Sequence, residues 1–228
     1  MPGYVIHLAL AEEIVRRLDI RDDAFVNQFF IGSIIPDVFK ASEKKESHFW
    51  SDETFKLFVR KPDVRAFEEK YHGYMDNPYV LGYYAHLLLD AMFIDHYWLK
   101  YFLFYNADMR KATLYDEVAQ VYLVEEERLY PRDVFFSKEM YYGDYDIMNS
   151  YMIDKYHIRI PELTVIPDII EEVNCKESEQ ALGDMIRLME KTVGDAKAPQ
   201  LKVFNLEEIE ALIDCVAEKI VKFFWEIK

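Results

Sequence analysis

Residues 79–98, "YVLGYYAHLLLDAMFIDHYW", constrain the fold more than any other part of the chain. They are apolar except for His86, Asp90, Asp95 and His96, and no Lys or Arg occurs from position 71 to position 99. The run is long enough to cross a bilayer, but each Asp at a membrane centre costs roughly 2.5–3.5 kcal/mol, and this run holds two. The sequence therefore predicts a helix buried in the middle of a protein, with the charge of Asp90 balanced by groups from other segments.

Around that helix the expected fold is all-α. Seven Gly and eight Pro in 228 residues leave few turns, and apolar positions recur at helical spacing from end to end. With 51% hydrophobic residues the chain has enough material for one core, so residues 1–228 read as a single multi-helix domain. Helices are predicted over residues 4–18, 23–34, 52–60 and 62–74, then from Asn77-Pro78 towards Tyr105, where Asn caps and Pro fits the first turn. Others are predicted over 115–129, 165–173, 178–192 and 206–227, the last capped by Asn205. Essentially no sheet is expected; residues 131–156 read as a loop-rich aromatic stretch, and 137–163, the poorest in periodicity, as a loop or lid.

Charge and cysteine content narrow the function. A formal charge of -15 disfavours nucleic acid or an acidic lipid surface as a non-specific partner. Cys175 and Cys215 read as two reduced thiols rather than a disulfide framework. The opening "MPGYVIHLALAEEIVRRLDI" has no basic leader and carries Glu12 and Glu13 in its apolar run, so it does not read as a signal peptide. The expected location is the cytoplasm.

The chemistry concentrates on imidazoles and carboxylates. On a helix advancing about 100° per residue, His86 and Asp90 share a face, whereas His96 comes about 80° round to the other side. Zinc takes imidazole nitrogen and carboxylate oxygen, and a full site draws ligands from several segments. His7 on the apolar stripe of the first helix, Asp37 just past the helix end set by Pro36, and His48 before Phe49-Trp50 are the candidates. Each has a plainer explanation alone: a core histidine bonded to a carbonyl for His7, a cap or turn for Asp37, a helical pair for His86 with Asp90. A metal accounts for all of them together. Asp95, His72 and His157 read as surface residues.

The ordered pattern of a first-helix His, "GSIIPD", a His some ten residues on and "HLLLDAMFIDH" resembles the bacterial zinc-dependent phospholipase C family, which shares its fold with fungal single-strand nucleases. The resemblance covers roughly residues 4 to 98. It implies that His86, Asp90 and His96 supply ligands as an H-x3-D-x5-H run, with Asp37, His48 and His7 as others. Two departures stand out: the chain opens "MPGY" where secreted members present a mature N-terminal Trp, and no H-x3-E follows His96. The implied centre is one well-supplied zinc site of Asp37, His48, His86 and Asp90, with a second ion bridged by Asp90 and using His7 and His96. The implied activity is hydrolysis of a small-molecule or lipid phosphodiester, with Asp37 also a candidate general base. The competing reading is a non-catalytic helical module with a structural ion, working through a protein partner. A nuclease would share the chemistry, but the acidic charge and the lack of a visible base-binding groove disfavour it.

Overall fold

A computed structural model describes residues 2–39, 44–191 and 197–228. Two long helices at the start, α1 (Tyr4–Arg17) and α2 (Asp23–Ile34), are followed by a 3-10 turn, Ile35–Asp37. The carboxylate of Asp22 caps α2 by accepting from the amides of Ala24 and Phe25. Pro36 stops α2 because a proline ring clashes with the preceding turn and has no N–H to donate. Three short helices come next: α3 (Lys44–Ser47), α4 (Asp52–Lys56) and α5 (Val64–Tyr71).

The central helix, α6 (Pro78–Phe93), starts as the sequence predicts, with the Asn77 side chain accepting from the amide of Tyr79 at 3.0 Å. It does not run on to Tyr105. A π-helical turn, Ile94–Trp98, and a last turn, α7 (Leu99–Tyr101), end it, and the chain then becomes extended. Both faces of α6 are buried, and it packs on α1, α2, α5 and the C-terminal helix α11 (Leu206–Ile227).

The crossing of α2 with α6 is unusually close. A Cβ on Gly82 would sit 2.1 Å from the carbonyl oxygen of Phe29, and one on Gly32 would sit 2.1 Å from that of Tyr79. Only a residue without a side chain fits at either place, so the two glycines set the distance between the helices.

Three expectations need correction. Residues 102–131 carry a small antiparallel sheet with strand order β1 (Phe102–Tyr105), β2 (Gln120–Leu123), β3 (Arg128–Pro131), where the sequence suggests a helix over 115–129. The buried and half-buried residues alternate along β1 and β2, which suits a pleated strand. The strands meet at Glu125-Glu126-Glu127, with Glu127 at φ 52°, so the acidic run that reads as helical is a hairpin turn.

Residues 131–156 are not a loop: α8 (Arg132–Phe135) and α9 (Tyr141–Lys155) occupy most of them. The buried stripe of α9 is Tyr141, Asp144, Met148 and Met152, and a carboxylate in that stripe hides the period. Residues 165–173 form irregular backbone with turns, and Ile166, Ile170 and Val173 are buried in the core without a helix. The predicted helix over 178–192 is α10 (Cys175–Met189); Thr192 lies outside the described residues.

The fold is otherwise the expected helical one, with a buried core from Val5 to Phe224. Cys215 is a free, exposed thiol on α11. Among the described residues no helix is long and apolar enough to cross a membrane.

Candidate metal centre

Four of the predicted residues are almost completely shut off from solvent: His7, His48 and His86 at 0% and Asp90 at 1%. α1 supplies His7, α6 supplies His86 and Asp90 one turn apart, His48 follows α3, and Asp37 closes the 3-10 turn after α2. The ligand atoms of His7, His86 and Asp90 lie within 4.8 Å of one another, as do those of Asp37, His48 and His86.

The hydrogen bonds around the rings decide which nitrogen is free. Nδ1–H of His86 donates to the carbonyl of Ser33 at 2.8 Å, a contact possible only because α2 and α6 touch backbone to backbone. Ser33 lies in the last turn of α2, where carbonyls have no partner within the helix. The Ser47 hydroxyl donates to the carbonyl of Pro36, so it accepts from Nδ1–H of His48 at 3.0 Å. Tyr83 in turn holds the Ser47 carbonyl at 2.6 Å. Both imidazoles therefore turn a bare Nε2 inward, the orientation that outer partners impose on metal-binding histidines.

These two Nε2 atoms stand 3.4 Å apart. Two lone pairs facing each other in a buried pocket require a shared proton or a cation between them. Asp90 adds to the same demand. Its Oδ2 lies 3.4 Å from Nε2 of His48 and 3.7 Å from Nε2 of His86, and its Oδ1 lies 3.4 Å from Nε2 of His7. None of these approaches to Asp90 meets hydrogen-bond geometry, so both its oxygens and both nitrogens of His7 are buried with no hydrogen-bond partner. Four orphaned polar atoms at one point are costly unless something binds them.

Zinc fits this donor set. Neighbouring ligand atoms on a tetrahedral zinc, at bond lengths of about 2.0–2.1 Å, stand about 3.3–3.4 Å apart. The spacings among His48, His86 and Asp90 and the 3.6 Å from His48 to Oδ1 of Asp37 lie at or slightly above that value. With its Nδ1 committed to Ser33, His86 has one nitrogen to give. The two groupings that could hold a metal ion therefore share this one nitrogen.

Charge states agree with this arrangement. Burial first, and the neighbouring His7 second, depress the pKa of His86 to about 3, so the ring is neutral. For Asp37 burial pushes up, and the Lys44 ammonium, followed by His86 and His48, brings the net shift below the usual range.

His96 is elsewhere. The π-helical turn carries it to the exposed side of the molecule, beside Met92, Lys100, Glu208 and Cys215, and it belongs to neither grouping. Asp95 is also exposed and pairs with Lys61, while His72 and His157 are on the surface, as predicted. The sequence does not single out Lys44, whose Nζ is 2.5 Å from Oδ1 of Asp37, or the orienting groups of Ser33 and Ser47. Lys44 sits in "EKKES", a charge run that looks like an ordinary solvated face.

Asp37 is the outward edge of the cluster, with its side chain 14% exposed. It and Lys44 line a cleft of about 700 Å³ walled by Phe58, Trp98, Tyr141 and Tyr145 and carrying Arg132 and Lys138. The fold and this centre together define a helical protein with a buried His/carboxylate cluster that could hold a metal ion and that reaches an aromatic cleft through one carboxylate. A model of the zinc dependent phospholipase C family matches residues 6–163, a span that includes every residue of the cluster, and the chain belongs to that family. No curated protein and no solved structure matches it.

Proposed function

We propose that the protein hydrolyses a phosphodiester of the phospholipid type at the metal centre. The observation that carries this reading is the set of buried, unpartnered polar atoms on Asp90 and His7, in a cluster whose outer member, Asp37, lines a cleft large enough for a head group. His48, His86, Asp90 and Asp37 would hold the ion, with His7 bracing the second oxygen of Asp90. Zinc, when bound, supplies a Lewis acid that polarises a phosphoryl oxygen and makes water acidic enough to attack phosphorus near neutral pH.

The chain's own residues do the rest. Ser33 and Ser47 fix the tautomers of His86 and His48, so their Nε2 atoms need no reorganisation. Asp37, kept ionised by Lys44, would accept a hydrogen bond from the attacking water and orient it. Lys44, next to Asp37 on the cleft wall, offers an ammonium to a phosphate oxygen. Four protein ligands would fill a tetrahedral ion, so hydrolysis requires Asp37, the one ligand that reaches the cleft, to bind loosely or the ion to become five-coordinate; its place on the cleft wall supports that over the helical module with a structural ion.

The test is metal analysis of the purified protein together with turnover of bis(4-nitrophenyl) phosphate. Zinc at about one equivalent and hydrolysis abolished by a chelator are expected. Protein that binds no transition metal, or activity that survives chelation, overturns the reading.

A further inference from the structure

Resting on that reading, we infer that the cleft selects phosphodiesters whose head group, the part that stays on the phosphate when diacylglycerol leaves, is a cation-free polyol such as glycerol, over those carrying a quaternary ammonium. The cleft runs against the charge of the protein. In a chain of formal charge -15, three cations, Lys44, Arg132 and Lys138, line it against two carboxylates, Asp37 and Asp146. Asp37 belongs to the metal cluster and already holds Lys44. Among the described residues, no carboxylate lies within 4.0 Å of the guanidinium of Arg132 or the ammonium of Lys138. Cations with no ion pair in so acidic a chain raise the potential at the cleft and repel a positively charged head group.

An aromatic cleft would normally suggest the opposite, since ring faces attract quaternary ammonium groups. Here two of the rings that line the cleft already carry a guanidinium. The Arg132 guanidinium lies 4.4 Å from the Tyr115 ring centroid and 5.0 Å from that of Phe58, and Arg60 lies 5.0 Å from Tyr115. At these two rings a second cation would have to displace the guanidinium, and beside Arg132 the remaining rings stand in its positive field. Two further groups lining the cleft suit hydroxyls instead. The indole N–H of Trp98, a residue 7% exposed, has no acceptor in hydrogen-bond geometry, and the buried Oδ1 of Asn149 has no donor. A polyol both donates and accepts, whereas a trimethylammonium group does neither. Asp146, exposed on α9, is the one carboxylate on the wall outside the metal cluster.

The experiment compares zinc-loaded protein on phosphatidylglycerol and phosphatidylcholine, each diluted in neutral-detergent micelles, with bis(4-nitrophenyl) phosphate run alongside. The expected ratio of kcat/KM, glycerol over choline lipid, is about tenfold or more. Lys138→Glu, at an exposed position, and Arg132→Gln should each bring that ratio down severalfold. The ratio is internal to each sample, so partial loss of fold or metal lowers both rates and leaves it unchanged. Hydrolysis of the soluble diester with a glycerol-to-choline ratio at or below one overturns the inference and leaves the hydrolase reading standing. A high ratio that neither substitution moves overturns the assignment to these cations. If zinc-loaded protein turns over neither lipid nor the soluble diester, the hydrolase reading itself fails and the inference falls with it.

Discussion

Asp90 and Asp144 are both buried carboxylates, 1% and 2% exposed, yet their surroundings are opposites. Asp144, on α9, has its Oδ2 filled by the backbone amides of Lys202, Val203 and Phe204 at 2.8, 2.6 and 3.2 Å. It pins the segment before α11 and needs nothing more. Asp90 has neither a hydrogen bond nor a Lys or Arg partner, only three imidazoles at 3.4–3.7 Å. Burial and charge are the same at both positions. What separates them is whether the protein itself supplies the donors, and a buried carboxylate left without a hydrogen bond, facing the bare Nε2 atoms of His48 and His86, is built for a cation.

The comparison is broken most directly at Asp90. Asp90→Asn keeps the shape and removes the charge, and it should cost nearly all turnover and most bound zinc, with activity down by at least about a hundredfold. Atomic absorption on the purified variant, with diester turnover beside it, reads both. Retention of zinc at the wild-type level would mean that Asp90 is not a ligand.

Asp144→Ala should show the reverse pattern. It leaves backbone amides buried without an acceptor and should lower stability by about 1–3 kcal/mol, while the folded fraction still binds zinc. Urea unfolding with metal content per folded molecule separates the two effects. Loss of zinc without loss of stability would erase the distinction between the two carboxylates.

Removing the ion tests the same contrast without a mutation. Zinc at about a hundredfold over its dissociation constant stabilises the folded state by about 2.7 kcal/mol. In a domain of this size that is a fall in Tm of roughly 5–10 °C on chelation, restored by added zinc. A Tm indifferent to both would indicate that the cluster is satisfied by a shared proton. The shift should be absent in Asp90→Asn and present in Asp144→Ala.

How much of this is legible in the amino-acid sequence depends on the kind of force involved. His7, Asp37, His48, His86 and Asp90 stand out because polar residues in apolar surroundings need a reason, and helical spacing places two of them on one face. The carbonyl of Ser33 cannot be foreseen as a partner of His86, because it depends on a helix crossing that Gly32 and Gly82 make possible. Lys44 is invisible for a similar reason: its charge looks solvated until the turn after α2 brings Asp37 to it. Asp144 misleads by the same logic that exposes Asp90. A buried acid breaks the apolar stripe of α9 and makes a helix look like a loop, although the amides that satisfy it come from residues far along the chain. The sheet escapes notice because its strands are short and its turn is a run of glutamates.

His96 gives the smallest expected effect and the finest test. By spacing alone it completes the H-x3-D-x5-H run, but the π-helical turn leaves it exposed, outside both groupings and near Lys100 and Glu208. An exposed side chain without buried partners contributes within about 0.5 kcal/mol to stability, so His96→Ala should leave urea unfolding nearly unchanged. Zinc content should hold at the wild-type level and most of the diester turnover should survive, because the cluster of His48, His86, Asp90 and Asp37 is complete without it. Measured beside Asp90→Asn, the two variants share a helix and a motif but not a site. Equal and complete loss of metal in both would place His96 among the ligands in solution and require the π-helical turn to rewind, bringing the ring inward from the face on which the structure holds it.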